Sequence, residues 1–403
     1  MIEVAAFPTA PPPRTRPVVA IVTRFWAESR DEAAVATRLL AGALARTADV
    51  TVIRLGDTGR STYADSVFEV HCVPVRGANW RRGALLRAAL AGRGNPTGLP
   101  ATAVQLLRQY EGVAPDVVRT LEAVAPDAIV LSGFHQPWDV ATLGRPGPSR
   151  RPRVVTIPFL DAGRPLPDEI ARIVAPADLV GTVHPGEKDA LGGVAPDRAA
   201  DFVPVDLAIG VNRHATADPL VGVAPYGEYV LVVRRFPASG PRLLHAVNAE
   251  MLSPILPGVS VAEVDGETWR ICNDENTAVL PVNPSHVNFS RLVARARVTI
   301  DVRPPGSVGV IAIESMLLGV PVVVPDDSAA QAHVAAANGG LWYRDVGELF
   351  DAVRVLVRTP IGATLAAQGR AYAQAKHGDN DAFVARTAAL VLGVGAPLPS
   401  APG

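Results

Sequence analysis

This sequence predicts an α/β protein made of two doubly wound domains that face each other. Three observations carry the expectation. Short runs rich in Val, Ile, Leu and Thr alternate with helical segments over most of the chain, the pattern of a mainly parallel sheet covered on both faces. The alternation fades over 216–228 and restarts at Tyr229. A length of 403 residues exceeds what one ordinary hydrophobic core organises, so two domains are the default.

Residues 1–17 are Pro-rich and without hydrophobic period, and are expected to be disordered. VVAIVT (18–23) reads as the first buried strand. From Glu32 to Arg46 apolar residues recur at three and four (Val35, Leu39, Leu40, Ala43, Leu44), which makes a helix. DVTVIRL (49–55), SVFEVHCVPV (66–75), DAIVLSG (127–133), RVVTIPF (153–159) and DLVGTV (178–183) read as further strands. The helical pattern at 101–124 is broken by Gly112 and Pro115. Turn residues concentrate from Thr216 to Glu228, so the linker is placed at 215–228, between a first domain at 18–214 and a second at 229–379. In the second, YVLVVRR (229–235), VSVAEVD (259–265), TAVLPV (277–282) and VTIDV (298–302) are strands. Helices are expected at 241–252, 287–296, 347–357, 361–376 and 380–393.

Composition narrows the function. Net charge is −1, with 48% hydrophobic and 19% charged residues, which argues against a dedicated nucleic-acid binder. No charge-free run reaches the length of a membrane span, and the N-terminus lacks the basic start and apolar core of a signal peptide, so a cytoplasmic location is expected. Cys72 and Cys272 lie far apart and support neither a disulfide framework nor a zinc site. No Asp-x-Asp run or His cluster suggests a metal.

The most telling stretch runs from Val298 to Asp327: a buried strand, a loop of Gly, Pro and Ser, a short helix (IAIESMLLG) and a second buried strand (VPVVVPDD). Gly306, Ser307 and Gly309 stand just before the helix. Small residues there let backbone N–H groups approach a ligand, and a helix N-terminus favours an anion. Glu314 follows among Val310, Ile311, Ala312, Ile313, Met316, Leu317 and Leu318. A carboxylate in such company needs a partner or a task. Accepting hydrogen bonds from ribose hydroxyls is one; a structural ion pair is the other.

IESMLLGVPVVVP resembles the glutamate helix and following strand, E-[AS]-M-x-x-G-x-P-V-V, of the family 4 retaining glycosyltransferases. AANGGLWYRDVGELFDAVRVLV is similar to the segment after it. YVLVVRRFPASG, PDAIVLSGFHQP, ADLVGTVHPGEKDAL and FVPVDLAIGVN are similar to other segments of that family, so the likeness spans most of the chain. The resemblance implies a GT-B fold, two facing Rossmann-like domains, with the last helix (380–393) crossing back to the first. It implies that the second domain binds a nucleotide-diphosphate sugar, UDP- or GDP-linked. The first would hold a glycan, glycolipid or small-molecule acceptor, and a hexose would move with retention and without a metal or other cofactor.

Carried over by position, Glu314 matches the glutamate that binds the ribose, and Arg234 or Arg235 the arginine on the diphosphate, with Arg242 nearby in sequence. Backbone amides from Ser307 to Val310 would face the leaving diphosphate, and His135 matches the acceptor-side histidine. Arg234 and Arg235 read equally as a solvated strand end, and His135 as a capping residue. His184 and His333 read as structural or rim residues.

Three departures stand out. The family's first glutamate, on the donor sugar, falls on Gly306, and its lysine on Ser239 or Gly240. Many members carry paired glycines after the first strand; here the loop is RFWAESRDEAAV, and the carboxylates of Asp31 and Glu32 repel a diphosphate. A chain that kept this fold and lost the donor clamp would be a pseudoenzyme, a binding or scaffolding partner; that is the alternative reading.

Residues 79–95 (NWRRGALLRAALAGRGN) set Trp80, Arg81, Arg82 and Arg87 beside an apolar stripe. A helix of this kind can lie on an anionic membrane surface, here the inner face, or simply cover a sheet. Many members of the family act on lipid-linked acceptors.

Overall fold

The computed structural model describes residues 15–23, 26, 32–56, 61–65, 68–74, 115–133, 152–160, 174, 177–210, 229–234, 247–265, 268–272, 277–281, 286–302 and 308–393. They form two sheets flanked by helices.

The first sheet has eight strands in the order β3-β4-β2-β1-β5-β6-β7-β8. They are β1 (Val18–Thr23), β2 (Asp49–Gly56), β3 (Ser61–Asp65), β4 (Phe68–Pro74), β5 (Ala128–Ser132), β6 (Arg153–Ile157), β7 (Leu179–Thr182) and β8 (Phe202–Pro204). All pairings are parallel except β3 with β4. Helices α1 (Glu32–Ala45), α2 (Pro115–Val124) and α3 (Pro185–Val194) connect them. Pro115 opens α2 rather than interrupting it, because the first helical position needs no N–H and suits the fixed φ of proline.

The second sheet has seven strands, β12-β11-β10-β9-β13-β14-β15. These are β9 (Tyr229–Arg234), β10 (Ser260–Asp265), β11 (Thr268–Cys272), β12 (Thr277–Pro281), β13 (Ala296–Asp301), β14 (Val322–Pro325) and β15 (Gly340–Tyr343). Strands β10, β11 and β12 form an antiparallel meander at one edge, and the rest of the sheet is parallel. The helices are α4 (Ala249–Leu252), α5 (His286–Ala294), α6 (Val310–Leu318), α7 (Ala329–Ala337), α8 (Val346–Arg358), α9 (Ile361–His377) and α10 (Asn380–Leu392).

Helix α10 lies against α1, β5 and β6 of the first sheet. Its start is fixed by Asp379, whose side chain accepts from the Ala382 N–H, and Arg46 pairs with Asp381 at 2.6 Å. One continuous apolar cluster joins the two halves. It contains Ile21, Ala33, Leu40 and Phe159 of the first, Val310, Ile313, Met316 and Val324 of the second, and Phe383 and Leu390 of α10.

Candidate functional site

Among the described residues five helices closely follow the carboxyl end of a parallel strand: α1 after β1, α3 after β7, α6 after β13, α7 after β14 and α8 after β15. The first N–H groups of a helix have no partner within the helix and carry partial positive charge, which makes this edge of an open α/β sheet the place where ligands and anions bind.

The α6 N-terminus is built around Gly309. Its φ of 75° is left-handed, and a Cβ there would stand 2.9 Å from His333 Cδ2 and 3.2 Å from Ala330 Cα. Glycine meets both demands, but it leaves the helix with no capping side chain of its own. The cap comes from the other half of the molecule. Glu32, the first residue of α1, accepts the Gly309 N–H on Oε2 and the Ile311 N–H on Oε1, each at 2.9 Å. The carboxylate is only 3% exposed. The anion position anticipated before α6 is therefore filled by the chain's own carboxylate. Both partners were legible separately, the amides as an anion site and Glu32 as a charge repelling a diphosphate; their contact was not.

Glu314 sits in the middle of α6, buried, and its Oε1 accepts from Ser290 Oγ of α5 at 2.5 Å. Val310 is buried at the first turn of the same helix. Arg234 ends β9 and is engaged by Glu263 of β10, with Nη1 to Oε1 at 3.1 Å. Glu263 Oε2 also accepts from the Ala249 N–H at 2.8 Å, so a buried carboxylate ties the end of β9 to the start of α4. His135, Arg235, Arg242, Gly306 and Ser307, and the surface group Trp80, Arg81, Arg82 and Arg87, lie outside the described residues. Among the described residues no group of His, Cys, Asp and Glu is arranged to hold a metal ion, and no helix is long and apolar enough to cross a membrane.

A second carboxylate centre escaped the sequence reading. Glu187 of α3 is fully buried; Oε2 accepts from the Val183 N–H at 2.6 Å and Oε1 from the Leu160 N–H at 2.5 Å. It thereby joins the loops that leave β6 and β7. His184 caps the same helix: Nδ1 accepts from the Glu187 N–H at 3.2 Å, which leaves Nε2 to carry the proton and donate to the Leu160 carbonyl at 3.2 Å. The signal was present as H-P-G-E, a capping residue followed by Glu three positions on. Burial pushes the Glu187 carboxyl up, against the smaller opposing pulls of His184 and the backbone N–H groups.

Between these two centres lies a row of buried histidines that meet edge to face. The ring centroids of His184 and His333 are 6.3 Å apart, and those of His333 and His377 5.5 Å. His184 and His333 are interior residues and not rim ones. His377 Nδ1 meets the Leu207 carbonyl at 3.0 Å. The carbonyls of Val183 and Val308 lie near enough to His333 to favour its protonated form, yet neither closes a hydrogen bond on its ring nitrogens. Burial, then His377 and His184, hold His333 well below the ordinary imidazole range. Burial also lowers His377, opposed by the Leu207 carbonyl and Asp206 and reinforced by Arg386 and Lys376.

A depressed imidazole pKa means the unfolded chain binds the extra proton first. The stability that His333 and His377 contribute is therefore complete above about pH 6.5 and is lost as pH falls below it. Glu187, being raised, works in the opposite direction above its ordinary value but is one group against two. Stability is expected to fall by about 1–3 kcal/mol between pH 7.5 and 5.5. His333→Phe should flatten the dependence. Urea titrations at fixed ionic strength check this, and a profile that is flat in the wild type would refute it.

No family model matches the sequence, and no curated protein matches it either. Solved structures do match in fold. An α,α-trehalose-phosphate synthase (UDP-forming) from Burkholderia vietnamiensis aligns with a TM-score of 0.60 at 12% identity, over 92% of this chain and 97% of that one. The Anabaena protein HepE in complex with UDP-glucose aligns at 0.56 and 15% identity, over 93% and 98%. A trehalose-6-phosphate protein from E. coli bound with UDP-2-fluoro glucose aligns at 0.61 and 10% identity, over 91% and 97%. The fold is GT-B: two Rossmann-like halves, as in these proteins.

Proposed function

We propose that this chain is a glycosyltransferase that binds a nucleotide-diphosphate sugar at the α6 N-terminus and moves its hexose, with retention, to a glycan, glycolipid or small-molecule acceptor. The observation that carries the reading is the pair of amides at Gly309 and Ile311, which already hold an oxyanion between the two halves. Two of the proteins of like fold are described with a UDP-sugar bound, which makes UDP the first nucleotide to try. In this reading residues 229–379 carry the donor, and residues 18–214, completed by α10, carry the acceptor.

The chemistry follows from charge. The bond from the anomeric carbon to the diphosphate breaks, a bond to the acceptor oxygen forms on the same face, and the hydroxyl proton is released, with His135 the candidate to take it. Negative charge grows on the departing diphosphate. Fixed N–H donors aimed at that charge do most of the work, each worth about 2.7–4 kcal/mol in the transition state. The amides from Ser307 to Val310 and the guanidinium groups of Arg234, Arg235 and Arg242 are assigned that role, and Glu314, oriented by Ser290, receives the ribose hydroxyls. A charge-assisted hydrogen bond contributes roughly 1.5–3 kcal/mol, so Glu314→Gln should weaken UDP binding by about tenfold or more. Titration calorimetry with UDP and GDP tests this. Unchanged affinity in both Glu314→Gln and Glu314→Ala would remove the ribose assignment.

A second reading is supported by the Arg234–Glu263 ion pair and by Glu32 on the amides: a pseudoenzyme that kept the fold and acts as a binding partner. Nucleotide binding without turnover of any common UDP- or GDP-sugar would favour it.

A further inference from the structure

We propose that Glu32 is a displaceable internal anion that gates the donor site, and that a nucleoside diphosphate binds by taking the Gly309 and Ile311 amides from it. The inference rests on the nucleotide-binding reading above and adds its control.

The geometry is that of a substitute ligand. Both carboxylate oxygens are used, each on its own N–H at 2.9 Å, which is the fork that two oxygens of a phosphate would offer to the same amides. The two groups cannot share it: one oxyanion on those donors excludes a second, and their charges repel. A separate observation marks the same loop. His333 packs edge-on against Gly309, is 1% exposed, and has no hydrogen bond on either ring nitrogen. A buried polar ring kept unsatisfied behind the amide loop is costly, and its place is explained if the loop serves an exchangeable ligand and not only a static cap. Glu32 is also suited to leave. It is the first residue of α1, so it can swing off the amides with the end of the helix while Ala36, Leu40 and Leu44, further in, keep the helix packed.

The consequence is an exchange equilibrium. The apparent affinity for a diphosphate is the intrinsic one reduced by the fraction of molecules in which Glu32 is off the amides. Removing the carboxylate should recover that loss for ligands that carry phosphate, and for no others.

The test is titration calorimetry of the full chain and of Glu32→Ala and Glu32→Gln with UDP, uridine and inorganic pyrophosphate. Glu32→Gln keeps the side chain's shape and guards against a folding defect. UDP and pyrophosphate are expected to bind Glu32→Ala about tenfold or more tightly than wild type, with Glu32→Gln between them and uridine unchanged to within about twofold. UDP binding all three proteins equally, or the alanine variant more weakly, overturns the gate. If UDP binds none of them but pyrophosphate binds Glu32→Ala alone, the gate stands and the nucleotide reading falls. If neither anion binds any protein, the gate falls as well.

Discussion

Replacing Glu187 by alanine should destabilise the protein by roughly 3–4 kcal/mol, since it leaves two buried N–H groups, of Val183 and Leu160, without acceptors at about 1–3 kcal/mol each. Relief of the buried carboxylate, whose pKa is already raised, offsets part of that loss. The site has little freedom to adapt. Phe159, next to Leu160, is held at a φ of 52°, a left-handed conformation that a bulky residue adopts only when its surroundings impose it. Glu187→Gln should recover about half of the loss, because its carbonyl can serve one N–H while its amide nitrogen opposes the other. Urea titrations with unchanged m-values measure both. A loss under about 1 kcal/mol for the alanine variant would mean that the two N–H groups find other partners.

Gly309→Ala should cost about 2–5 kcal/mol, combining about 1–2 for a left-handed alanine with about 1–3 for overpacking against His333 and Ala330. Gly319 supplies the control. It ends α6 at a φ of 79°, but a Cβ there meets only the flexible side chain of Arg370, at 3.5 Å. Gly319→Ala should therefore show the conformational cost alone. Equal losses in the two variants would show that the contact between Gly309 and His333 contributes nothing.

What the sequence revealed follows from where each signal is stored. Strands β1, β9 and β14 are covered on both faces, so their nearly unbroken apolar runs were plain. Strands β3 and β11 are five-residue antiparallel strands, STYAD and TWRIC, without a long apolar run, and they were missed. The amide site before α6 was legible because it is local: two glycines and a serine in front of a helix. Its occupant was not, since Glu32 lies 277 residues away and no periodicity relates the two. Arg234 shows the same limit. That it ends a strand can be read from YVLVVRR; that Glu263 holds it depends on β9 and β10 being neighbours in the sheet.

The position of α10 has a consequence for how the protein is made. The strands it covers, β5 and β6, leave the ribosome more than two hundred residues before α10 does. At ~5–20 residues per second the interval is on the order of 10–50 s. During that time Phe159 and Ile157 lack Phe383, Leu390 and Val391, which complete the cluster they belong to. The first half emerges with an oily face that α10, synthesised after the whole second sheet, closes. Slow translation of the second half would lengthen that exposure, so this chain is expected to need shielding of the face over the interval more than a protein whose domains finish in the order they are read.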